Sequence, residues 1–386
     1  MCKTYYKIRF NAYIDSTTHY PALLLHSPII GEDIVLLKCL GLVIIILLSG
    51  CRQFGGEWQK ASSSPVKQGS TVQIRVVNAT NNRLQRMSSA QLRIMLASAQ
   101  AAVKTNFGVN IEFTDVTETG IEQVFAIIPP PLREIRKSSI YDFKAGTGDK
   151  QKLSKGINTT LTERGTKLED GLAFVKPYIP RAQAKDLMSF SELLSNVMLE
   201  RLEKWRSVKA EDGLPVLDDT PYNEITYWDI MGYGNLPYEL VITNQLFASA
   251  EYDGVDIHTA IRGGITVGLT TYSRESKFGT YIVFSTFPFL DNSESTQLLR
   301  GGETYSEVEA AELSGAYLTH EIGHMLFQFG HPFGQNSCVM NPASMLQFRE
   351  WFNQLDSASC LIGSRAEMTP GAVPEYHNVN WLRMSR

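Results

Sequence analysis

The sequence predicts an α+β fold: a twisted mixed sheet in the N-terminal lobe, a long helix carrying the candidate site, and a smaller C-terminal lobe. Three observations predict it. A strand, helix, strand succession begins at residue 71, β-rich runs recur between residues 238 and 287, and a capped helical stretch starting at Ser306 ends in a group of histidines.

In chain order, Val72-Gln73-Ile74-Arg75-Val76-Val77 alternates as one strand. Ser88-Ser89-Ala90-Gln91 has the spacing of a capping box and opens a helix that runs to about Phe107. Gly108 closes that helix, and residues 109–113 form a second strand. Residues 132–221 are polar and read as an insertion that covers the cleft. It has a loop containing Gly146, Gly148 and Gly156, then a helix opened by Ser189-Phe190-Ser191-Glu192. Leu194, Met198, Leu202 and Trp205 recur there at helical spacing and are expected as core contacts. Residues 238–243, 264–272 and 279–287 are three further strands.

The decisive helix is expected over 306–330. Ser306-Glu307-Val308-Glu309 has capping-box spacing, and residues 308–329 contain no proline. Ala310, Leu313, Tyr317, Ile322 and Leu326 supply an apolar stripe, and Gly330 followed by Pro332 is a stop signal.

His320 and His324 stand at i and i+4 on this helix. They can therefore present two imidazole nitrogens to one zinc ion at about 2.1 Å. Glu321 lies where a carboxylate can take a proton from a metal-bound water without ligating the ion. A tetrahedral ion with one open position needs a third protein ligand, and His331 is the first candidate. A continued helix would carry His331 about 10 Å too far along the axis. A left-handed turn at Gly330 would bring it back. Glu350 and His377 are the rival third ligands.

The run HEIGHMLFQFGH, followed by Cys338-Val339-Met340-Asn341, resembles the active site of the metzincin zinc metallopeptidases, and the latter segment resembles their archaemetzincin branch. Here the third histidine falls one residue later than in the family pattern. The resemblance implies a zincin-type fold and one Zn2+ held by His320, His324 and His331. It also implies Glu321 as general base and Met340 as the methionine of a tight turn beneath the metal. In that clan an edge strand before the helix binds extended peptide antiparallel to itself, which here would be one of the last two strands. Tyr376, beside His377, is a candidate oxyanion donor.

At the N-terminus, residues 1–34 read as an extension ahead of the true start. Residues 35–50 contain Lys38 and an apolar run from Leu40 to Leu48, the order of a signal peptide. Leu48-Ser49-Gly50-Cys51 resembles the bacterial lipobox, which implies lipidation of Cys51. The protein would then be anchored in the cell envelope, at the outer membrane or on the periplasmic side. Residues 51–70 would be the tether and 71–386 the peptidase domain, with 331–386 as its C-terminal lobe.

Export would remove Cys2 and Cys39, leaving Cys338 and Cys360 as a candidate disulfide or as two separate thiols. A formal net charge of −4 and the lack of a long basic run argue against nucleic acid. The expected partners are a peptide or protein substrate and a membrane reached through the N-terminal lipid. Two other roles are a lipoprotein whose lobe is merely stabilised by zinc, and a degenerate peptidase fold serving as a scaffold.

Overall fold

The strand β1 (Thr71–Ile74) pairs in parallel with β3 (Asn110–Phe113), and the intervening helix α1 (Ser89–Phe107) makes the crossover. Local signals set both ends of that helix. The Ser88 hydroxyl accepts from the Gln91 amide, the Gln91 side chain accepts from the Ser88 amide, and Gly108 takes φ 68° at the C-cap. The single strand expected over 72–77 is instead two, because the Arg75 amide and guanidinium both bond to Glu239 and interrupt the ladder. Beyond Arg75, β2 (Val76–Thr80) changes partners. It lies between β4 (Thr117–Gly120) and β5 (Leu240–Thr243), parallel to both.

The computed structural model describes residues 69–359 apart from 139–149, 164, 177, 211, 218–220, 234–235, 250–256, 273–279, 328, 330, 332–335 and 344. Among them, the main sheet runs in the order β4-β2-β5-β9-β8, with β8 (Gly268–Tyr272) and β9 (Thr280–Ser285). Its first four strands are parallel, and the edge strand β8 is antiparallel to β9. The strand expected over 264–272 is therefore divided. Strand β7 (Ile265–Thr266) pairs with β6 (Phe247–Ala248), Val267 accepts from the Ser285 amide, and only then does β8 begin.

A mostly parallel sheet needs cover on both faces. Val76, Leu240, Ile242, Ile282 and Phe284 join the core that contains α1 and the long helix described below. Val77, Val241, Tyr281 and Val283 point the other way, into an aromatic cluster with Phe125, Tyr222, Tyr227 and Trp228. The Tyr281 hydroxyl donates to the Trp228 carbonyl at 2.7 Å, satisfying a polar group that the core would otherwise strand.

In the 132–221 region, α2 (Lys150–Glu163) holds Gly156, which was expected in a loop. Leu153, Ile157 and Leu161 at helical spacing bury that face and carry the glycine inward. The next long helix, α3 (Leu187–Arg206), starts at Leu187, earlier than expected. Its cap is Asp186, whose carboxylate accepts from the Ser189 amide at 2.7 Å. Leu194, Met198, Leu202 and Trp205 are buried as expected.

Helix α4 (Glu307–Phe327) lies against α1. The Ser306 hydroxyl accepts from the Glu309 amide at 3.3 Å, and all five residues of the expected stripe are buried. Close approach depends on Gly315, where a Cβ would stand 2.1 Å from the Met95 carbonyl oxygen. The helix ends at Phe327. Phe329, expected inside it, has already left, and its carbonyl accepts from the His324 ring. Gly330 and Pro332, the expected stop, lie outside the described residues.

Candidate metal centre

His320 and His324 project from one face of α4, and the chain turns back after Phe327 to bring in His331. The three Nε2 atoms lie 3.0, 3.1 and 3.1 Å from one another. Nitrogens held at about 2.1 Å around a tetrahedral ion would be about 3.4 Å apart, so the observed triangle is within a few tenths of an ångström of that spacing.

Proton placement gives the stronger argument. Nδ1 of His320 is 3.0 Å from the Val339 carbonyl oxygen, and Nδ1 of His324 contacts the Phe329 carbonyl oxygen. A carbonyl can only accept, so both Nδ1 atoms carry the proton. In the neutral rings both Nε2 atoms therefore carry lone pairs. Burial favours the neutral form, holding His324 down to about 4. Two converging lone pairs about 3 Å apart cannot hydrogen-bond each other, and a cation between them removes the repulsion. His320 is buried, whereas His324 and His331 are partly exposed.

Met340 lies in a tight turn that packs against α4. The Asn341 amide donates to the Cys338 carbonyl at 2.9 Å, closing a turn over residues 338–341, of which Cys338, Val339 and Met340 are fully buried. Within this turn Val339 orients His320, and Met340 packs against α4 at Gly323. A Cβ on Gly323 would stand 2.3 Å from Met340 Sδ and 3.0 Å from the Phe107 ring. The turn is braced from behind. Trp351, on the short helix α5 (Phe348–Gln354), donates its indole N–H to the Asn341 carbonyl at 2.7 Å, and Cys338 is disulfide-bonded.

Glu321 faces β8. Its Oε2 accepts from the Thr270 hydroxyl at 2.8 Å, and the rest of the carboxylate lies over Gly268. Burial pushes the carboxyl up to about 7, against the opposing hydrogen bond from Thr270.

Of the rival third ligands, Glu350 is corrected. It is exposed on α5, where it accepts from Gln354 at 3.2 Å, and it takes no part in the histidine group. His377, Tyr376, Cys51 and Cys360 lie outside the described residues, as do all residues before Gly69. No helix among the described residues is long and apolar enough to cross a membrane. Sequence reasoning did not find Thr270, Gly268, Gly323, Val339 or Phe329. Gly323 alone carried a signal, as a glycine inside a helical pattern. Comparisons with protein-family models, curated proteins and solved structures find no match to this chain.

Proposed function

We propose that this protein is a zinc-dependent peptidase of metzincin type. The observation that carries the reading is the convergence of three imidazole Nε2 atoms beside a buried carboxylate, with two of the rings locked in the ligating tautomer by backbone carbonyls. Zinc suits a set of neutral imidazoles with one side open, and His320, His324 and His331 would hold it. When bound, the ion would supply Lewis acidity towards a scissile carbonyl and acidify its water.

The chain's own groups then have separable tasks. Glu321, buried next to the ligand His320 in the chain, can take a proton and return it to the leaving amine. The antiparallel edge strand β8, packed against α4, suits main-chain pairing with an extended peptide. Val339 and Phe329 keep two ligand rings in one orientation, and the disulfide at Cys338 braces the turn that carries Val339.

A zincin-type fold, lipidation at Cys51 and an envelope location belong to the same proposal. A purely structural metal is less well supported, because structural zinc is generally closed by four protein ligands and three are found among the described residues.

The test is elemental analysis of the purified chain beside a peptide-cleavage screen. One zinc per chain, with cleavage lost on chelation and restored by zinc, is the expected result. Zinc without cleavage of any peptide would leave the structural role, and no bound metal would leave the scaffold.

A further inference from the structure

We propose that Thr270 is a positioning residue for Glu321, holding one carboxylate oxygen from the edge strand of the sheet; its functional meaning rests on the peptidase reading above. Residues two apart on a strand share a face, so Gly268 and Thr270 both meet Glu321. Their contributions differ. The Thr270 hydroxyl lies 2.8 Å from Oε2 and 3.2 Å from the Glu321 backbone carbonyl, so it touches both ends of the residue. At Gly268 there is only backbone, and a Cβ would come within 2.7 Å of Oε1 and 2.9 Å of Cγ. One oxygen is thus tied to a hydroxyl and the other lies over a strand with no side chain in the way.

A hydroxyl both donates and accepts, so this contact persists in either direction. β8 is also the edge on which an extended peptide would pair. The residue that orients the base would then sit in the strand that registers the substrate, linking the position of the carboxylate to that of the bound main chain. A helix packed on a sheet does not by itself supply this link, which requires a donor at 270 and no side chain at 268.

The test compares Thr270→Val, which keeps the shape and loses the hydroxyl, with Thr270→Ser, which keeps the hydroxyl. A lost hydrogen bond to a charged group corresponds to roughly a tenfold or larger effect. Thr270→Val is expected to lower kcat by about tenfold or more with KM little changed, and Thr270→Ser to recover most of it. The readout independent of activity is a double-mutant cycle of Thr270→Val with Glu321→Ala, followed by thermal unfolding of the metal-free protein. The Tm shift from Thr270→Val should be clearly larger with Glu321 than without it, where only the contact with the backbone carbonyl of residue 321 remains. Equal shifts in both backgrounds would overturn the proposal, even in an active peptidase. Non-additive shifts in a protein that cleaves nothing would leave the pairing standing and remove the peptidase reading. If Thr270→Val does not fold, Thr270→Ala against Thr270→Ser gives the same comparison.

Discussion

The two halves of α4 are built on opposite terms. From Glu307 to Leu318 the helix buries Ala310, Ala311, Leu313, Ala316 and Leu318, and brings Gly315 against the backbone of α1. From His320 onward it buries an imidazole and a carboxylate, and its polar atoms are held by residues remote from the helix. Val339 takes His320, and Thr270 takes Glu321. The first half is stabilised by close apolar contact, which needs only small residues in the right register. The second buries groups that would be costly without partners, so its stability depends on chain segments that arrive by folding.

Changes in the second half should break chemistry before they break the fold. Glu321→Gln is expected to lower cleavage by about 10²- to 10⁴-fold while the metal stays bound, measured by steady-state kinetics beside metal content. Retained cleavage would remove the assigned base. Next in size, His331→Ala should weaken metal binding by at least about 100-fold, read by competition with a chromogenic chelator. Truncating a ligand itself should exceed the 10- to 100-fold losses typical of second-shell changes. Unchanged affinity would show that another group completes the site.

The two helical glycines sharpen the comparison. A Cβ at Gly315 meets backbone that cannot move alone, whereas one at Gly323 meets the flexible end of Met340 as well as the Phe107 ring. Gly315→Ala should therefore lower stability by about 1–3 kcal/mol or more and leave the metal affinity of the folded protein unchanged. Gly323→Ala should lower stability less, but displace Met340 and with it the turn that orients His320, reducing metal affinity. Denaturant unfolding and metal titration of both variants decide this, and the reverse pattern would contradict the assignment.

The pH dependence of the metal-free protein tests the same half of the helix. Glu321, at about 7 when folded against an ordinary 4.5, is destabilised by ionisation as pH rises from about 4.5 through 7. His324, at about 4 against 6.5, is destabilised by protonation as pH falls from about 6.5 through 4. Between pH 4.5 and 6.5 the two trends oppose. Of the two, Glu321→Gln keeps the histidine contribution, so its stability should rise from pH 4 to about 6.5 and then level. A flat or falling profile would contradict a neutral His324.

Where signals are local, the sequence was readable. Ser88, Gln91 and Gly108 bound α1 as expected, because each acts on backbone groups within four residues of itself. Ser306 did the same for the start of α4. The i, i+4 spacing of His320 and His324 follows from helix geometry alone, and the expected return of His331 is seen in the structure. Two departures show what an unbroken local pattern leaves open. No local signal ends the helix before Phe329, yet the Phe329 carbonyl is taken by His324. The strand alternation runs unbroken through Arg75, yet Glu239 captures that residue from 164 positions away.

By itself the sequence determined the α+β character, the helix that carries the site, and the first two histidines with their carboxylate neighbour. Helical and strand periodicity and capping are short-range properties. Only the tertiary structure decided that β8 is the edge facing Glu321, that Val339 and Phe329 set the ring tautomers, and that Glu350 stays apart. The contacts of Glu321 with Thr270 and of His320 with Val339 join residues 51 and 19 positions apart, whose partners meet only after the sheet, the helix and the following turn have packed.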